Sequence, residues 1–115
     1  MSLIIYHNPR CSKSRQTLAL IEEAGKSAEI RFYLKSPLQH AELTDLLGQL
    51  GFDDPRQLIR TQEAIYKDLG LKDIDDQDKL LAAMLAHPKL IERPIVSNGQ
   101  KAVLGRPPEA VKALL

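Results

Sequence analysis

The sequence predicts an α/β fold: a four-stranded mixed sheet interrupted by an all-helical insertion. Three observations lead there. A strand–helix–strand pattern opens the chain, only helical signals run from about 37 to 91, and a hairpin followed by a helix closes it. With 115 residues the chain has the common size of one domain, able to bury a core without disulfides or structural metal.

Leu3–Tyr6, "LIIY", is apolar and β-branched, as a buried strand requires. Leu18, Ile21 and Ala24 then recur at helical spacing, and Gly25 supplies a stop. "EIRFYL", 29–34, reads as a second strand, so the first segment is a βαβ unit with its two strands parallel. In the insertion, Leu43, Leu46, Leu47 and Leu50 share one helical face, as do Leu80, Leu81, Met84 and Leu85. Between them, Asp54 is placed to cap a helix that Pro55 begins, and "QEAIYKDLG" adds a short amphipathic turn closed by Gly70. Asn98-Gly99 lies between two extended runs, a two-residue hairpin signal. "RPPEAVKALL" starts a last helix at Pro107 or Pro108. This order of elements is thioredoxin-like.

Sixteen basic and fifteen acidic residues give a formal charge of +1, without a polybasic tail or acidic arm, so composition suggests neither nucleic acid nor a membrane surface as a partner. No run approaches the roughly 18 apolar residues of a membrane span, and "MSLIIYHNPR" lacks the features of a secretory signal. A cytoplasmic location is expected. The single cysteine cannot form an internal disulfide, which suits a reducing compartment. One cysteine and three scattered histidines show no metal-ligand spacing, and no bound metal or cofactor is expected.

That cysteine, Cys11, sits in "NPRCSKSR", where the first strand gives way to the first helix. A thiol attacks as thiolate, and an ordinary thiol, with a pKa of about 8.5, is mostly protonated at neutral pH. The helix N-terminus, the nearby His7, Arg10, Lys13 and Arg15, and the hydroxyls of Ser12 and Ser14 all favour the anion. The same features attract an oxyanion. A buried inert cysteine would sit among apolar neighbours, whereas this segment is polar apart from its proline. His7 reads equally as a ligand, an acid/base or a polar strand end. Arg93 and Arg106 each precede a proline where helix and strand signals change, while Arg60 lies in the insertion without such a signal. Pro94 opens the third strand and is compatible with either peptide isomer.

"YHNPRCSKSR" with "LIR" at 58–60, "HPKLIERPIV" at 87–96 and "GRPPE" at 105–109 resembles the glutaredoxin-linked arsenate reductase family, from Ile4 to about Leu115. The resemblance implies that Cys11 is the nucleophile, helped by His7 and Ser14. It implies that Arg60, Arg93 and Arg106 surround the oxyanion and that Pro94 is the cis proline of thioredoxin-like folds. It further implies arsenate as substrate, with phosphate or sulfate as mimics, glutathione as co-substrate and glutaredoxin as protein partner. The plasmid-borne reductases of that family read "ACGTS" where this chain reads "RCSKS", and they continue further, so the compact chromosomal branch is the nearer likeness.

Two other functions fit part of the pattern. A regulator of the Spx type shares the fold and binds RNA polymerase, but its redox switch is a CxxC pair, where this chain has Cys11 followed by Ser14. A monothiol glutathione-dependent oxidoreductase would use Cys-x-x-Ser without needing the arginines.

Overall fold

The computed structural model describes residues 3–115. It divides into two compact units, the chain up to Ser36 together with Arg93–Leu115, and Pro37–Glu92.

The first unit is built on a four-stranded sheet of order β2-β1-β3-β4. Strands β1 (Leu3–Tyr6) and β2 (Ala28–Arg31) are parallel and are joined by helix α1 (Ser12–Glu23). Strands β3 (Ile95–Ser97) and β4 (Ala102–Leu104) form an antiparallel hairpin, and β3 also pairs antiparallel with β1. The sheet is therefore mixed and thioredoxin-like. Leu3 and Ile5 of β1, Ile21 of α1, Val96 of β3 and Val111 of the closing turn form its buried core.

Four local expectations are corrected. β2 ends at Arg31 rather than Leu34, because the His7 N–H takes the Arg31 carbonyl (2.9 Å) just as the neighbouring strand ends. With no partner left, residues 32–36 fold into a turn in which Lys35 and Ser36 both donate to the Phe32 carbonyl. Phe32 and Leu34 in this turn are 44% and 40% exposed.

The buried face of α1 carries Ser14, Thr17 and Ile21; of the expected apolar triplet, Ile21 is buried, Leu18 packs half-buried against the core and Ala24 is exposed. Two of the three fully buried residues, Ser14 and Thr17, are polar, so a search for apolar periodicity passes over them. The hairpin is centred on Gly99-Gln100. Asn98 acts as its brace, its Oδ1 accepting from the N–H groups of Gln100 (2.9 Å) and Lys101 (2.8 Å), and Gly99 takes the left-handed position at φ 94°. The last helix is a 3₁₀ helix, Pro108–Leu114.

The second unit contains helices α2 (His40–Leu50), α3 (Ala64–Asp68) and α4 (Gln77–Ala86), with 3₁₀ turns at Pro55–Leu58, Leu71–Asp73 and Pro88–Leu90. Asp54 caps the first of these turns in a reciprocal capping box with Gln57, and Pro55 takes the first position, as expected. Leu43, Leu46 and Leu47 are buried on α2, and Leu80, Leu81 and Met84 on α4; α2 and α4 pack together. An isolated antiparallel bridge, Ile59 to Ile91, adds backbone pairing that helical periodicity gives no reason to expect; Arg60 N–H to Leu90 O (2.7 Å) and Glu92 N–H to Leu58 O (2.8 Å) flank it. No helix among the described residues is long and apolar enough to cross a membrane.

Candidate active site

The loop from His7 to Cys11 is shaped by one residue. Asn8 accepts the Cys11 N–H with its carbonyl (3.0 Å) and the Arg10 N–H with its Oδ1 (3.0 Å), and it donates its own N–H to Ser14 Oγ (3.1 Å). Arg15 reaches back to the Pro9 carbonyl (2.9 Å). The turn is thus held by its own polar groups, and it delivers Cys11 as the N-cap of α1, in extended conformation at φ −94°, ψ 122°.

At that position the sulfur faces the open N-terminus of α1, whose first turn holds no carboxylate to neutralise it. Cys11 is only 8% exposed, and burial by itself pushes its pKa up. That effect is outweighed by the Ser14 N–H, the Arg93 guanidinium, the Lys13 N–H and the Arg106 guanidinium, so the thiol lies below its ordinary value. The helix N–H groups act here as oriented dipoles near the sulfur, since no side-chain cap hydrogen bond of normal geometry forms. Arg106 makes the direct contact, Nη2 to Sγ at 3.8 Å.

Arg93 and Arg106 lie at the two ends of the β3–β4 hairpin and are linked, Arg106 Nε donating to the Arg93 carbonyl (2.7 Å). The Nε and Nη1 atoms of Arg93 are buried. The Arg93–Pro94 peptide is cis, and so is Arg106–Pro107. Between these points Gly105 donates its N–H to the Pro94 carbonyl (2.9 Å) and lies so close to α1 that an added Cβ would stand 2.3 Å from Thr17 Oγ1 and 2.7 Å from Pro94 Cγ.

His7 is buried and bonds not to Cys11 but to Ser14, Nδ1 to Oγ at 2.6 Å. Asn8 N–H donates to the same hydroxyl, so Ser14 Oγ joins the strand end and the loop to the helix. Burial first, and the nearby Arg15 charge second, lower the His7 pKa below its usual value, so the ring is neutral at neutral pH. Ser14 therefore acts on the thiol through its backbone N–H, and its hydroxyl ties the strand end to the helix.

The first unit thus brings together Cys11, His7, Ser14, Arg93, Pro94 and Arg106. Arg60 belongs to the second unit, where its guanidinium is bonded to Glu63 and lies 3.8 Å from Glu92. Asn8, Thr17 and Gly105 also build the site, and of these only Asn8, in an Asn-Pro dipeptide, carries a local sequence signal. Chemically, the arrangement is a nucleophilic thiolate beside two cations, suited to a tetrahedral oxyanion.

Two results are expected from this geometry. The pH profile of iodoacetamide alkylation should give a Cys11 pKa below the ordinary value of about 8.5, and Arg93→Ala or Arg106→Ala should each raise it; an unperturbed value in the native protein would contradict the geometry. For His7 the folded pKa is lowered, so the unfolded chain binds more protons below about pH 6.5. The stability contributed by neutral His7 is complete above that unfolded value and is lost as pH falls through the folded pKa. Urea midpoints should therefore fall on acidification through this window, and His7→Asn should flatten that slope.

Comparison with known proteins agrees with this picture. A profile of the ArsC family matches residues 6–114. A protein of Haemophilus influenzae named arsenate reductase is 51% identical over all of this chain and all of its own length. One of Neisseria meningitidis with the same name is 47% identical over 96% of each. The solved structure of an arsenate reductase from Vibrio cholerae superimposes with a TM-score of 0.95 at 50% identity, covering 100% of this chain and 98% of that one.

Proposed function

This chain belongs to the ArsC family, and from that premise we propose that it reduces arsenate to arsenite through a covalent adduct at Cys11, resolved by glutathione and glutaredoxin. The observation that carries the reading is the thiolate environment of Cys11, a helix N-terminus with Arg93 and Arg106 on a sulfur that burial alone would keep protonated.

In the first step Cys11 forms an S–As bond and one arsenate oxygen leaves as water, with arsenic still As(V). Glutathione forms a second S–As bond with loss of a second water. A glutaredoxin thiolate then attacks the glutathione sulfur, and the As–S electron pair stays on arsenic, which becomes As(III). The oxidation leaves as a glutathione–glutaredoxin mixed disulfide. Water cleaves the remaining S–As bond, releasing arsenite and restoring Cys11. Two external thiols are needed because reduction takes two electrons and the chain has one cysteine.

Arg93 and Arg106 hold the oxyanion in this reading. Pro94 shapes the backbone beside the thiol, and His7 with Ser14 holds the loop. Phosphate and sulfate would occupy the same cradle, but thiols do not reduce them. A reducing, cytoplasmic compartment supplies the thiols. The test is turnover of arsenate by purified protein with glutathione and glutaredoxin. Arsenite formed only when both thiols are present supports the reading. Removal of glutathione from protein mixed disulfides without any arsenate turnover would replace it with the monothiol oxidoreductase.

A further inference from the structure

Beside the Cys11 loop, and distinct from its oxyanion cradle, the first unit holds a cavity of about 270 Å³. One wall is residues 7–10, the segment that ends on the nucleophile; the other is Phe32, Leu34 and Lys35 from the turn after β2. The volume is near the lower end of small-molecule sites, about 300 Å³ upward. A larger depression, about 380 Å³, lies at the opposite end of β1 and shares no residue with the Cys11 loop.

The cavity wall combines three chemistries. Pro9, Phe32 and Leu34 are apolar, and Phe32 and Leu34 are 44% and 40% exposed, high values for such side chains. Arg10 and Lys35 bring two positive charges, with no carboxylate in the lining. His7 is 94% buried (6% exposed), its Nδ1 is engaged by Ser14, and its Nε2 has no hydrogen-bond partner among the described residues. Two cations around an apolar floor, with a ring nitrogen at its inner end, fit a ligand with a short aliphatic body and more than one carboxylate.

We infer that this cavity seats the resolving thiol as a dicarboxylate peptide of the glutathione class, its carboxylates on Arg10 and Lys35 and its aliphatic part on Phe32 and Leu34. The inference rests on the proposed function for the identity of the ligand. Its geometry rests on the cavity alone. A ligand there lies against the residue preceding Cys11, so binding energy collected away from arsenic helps bring the second thiol to the adduct.

The experiment uses the full chain and S-methylglutathione, whose blocked sulfur cannot react. Amide chemical shifts should change at His7, Asn8 and Arg10 and at residues 32–35, and a diamide of the same peptide should bind at least ~5-fold more weakly. Lys35→Glu and Leu34→Glu, both at exposed turn positions, should each weaken binding about 10-fold. In turnover they should raise the KM for glutathione and leave the KM for arsenate and the Cys11 alkylation profile unchanged. Shifts elsewhere, equal binding of the diamide, or an unchanged glutathione KM in both variants would overturn the inference. S-Methylglutathione binding at this cavity in a protein that does not reduce arsenate would refute the proposed reaction and leave the site standing.

Discussion

Cys11→Ser is expected to lower arsenate turnover by at least ~10⁴-fold, the scale on which removal of an enzyme nucleophile acts, without a fall in thermal stability. The second half follows from position. Cys11 is the N-cap of α1 and makes no side-chain cap hydrogen bond, whereas serine is among the preferred N-cap residues and can bond the free N–H groups there. The melting temperature should hold or rise. The variant should still take up arsenate, because Arg93 and Arg106 remain, and it should form no adduct by mass spectrometry. Retention of full turnover would sink the covalent mechanism.

Gly105→Ala is expected to do more damage than any other single-methyl change in the site. The new Cβ would stand 2.3 Å from Thr17 Oγ1 and 2.7 Å from Pro94 Cγ, neither of them the far end of a flexible chain. Overpacking of this kind typically costs about 1–3 kcal/mol, several degrees in a chain of this size. Displacement of the strand end should also withdraw Arg106, the next residue, from the sulfur it contacts at 3.8 Å. The variant's thiol pKa should therefore rise toward the ordinary value and its anion affinity fall. Thr17→Ala in the same chain removes the closer contact and should restore part of both. A double variant no better than Gly105→Ala would show that the Thr17 contact is not what fixes Arg106.

The part of the site legible in sequence is the part that is local. Cys11 shows itself because the residues that stabilise its anion, the N–H groups of Lys13 and Ser14, are its neighbours on the same helix. Arg93 and Arg106 show themselves only by preceding prolines at element ends, and their convergence on the sulfur is a product of strand pairing. Thr17 and Gly105 leave no trace. A polar residue on the core face of a helix breaks the apolar period, and a glycine required for close approach looks like any loop glycine. The order of strands and helices was readable because each element is short, patterned and closed by a turn residue. The early end of β2 was not, since its partner strand, rather than its own composition, decides where pairing stops.

The link from Arg106 Nε to the Arg93 carbonyl gives the β3–β4 hairpin a kinetic meaning. Both cations that act on Cys11 are mounted on the two ends of one short ribbon, closed further by the Gly105–Pro94 backbone bond. Fraying of that ribbon would remove both charges in a single event, leaving the Ser14 and Lys13 N–H groups as the anion's remaining support. Amide exchange at Gly105 should then report how often the sulfur loses its two cations.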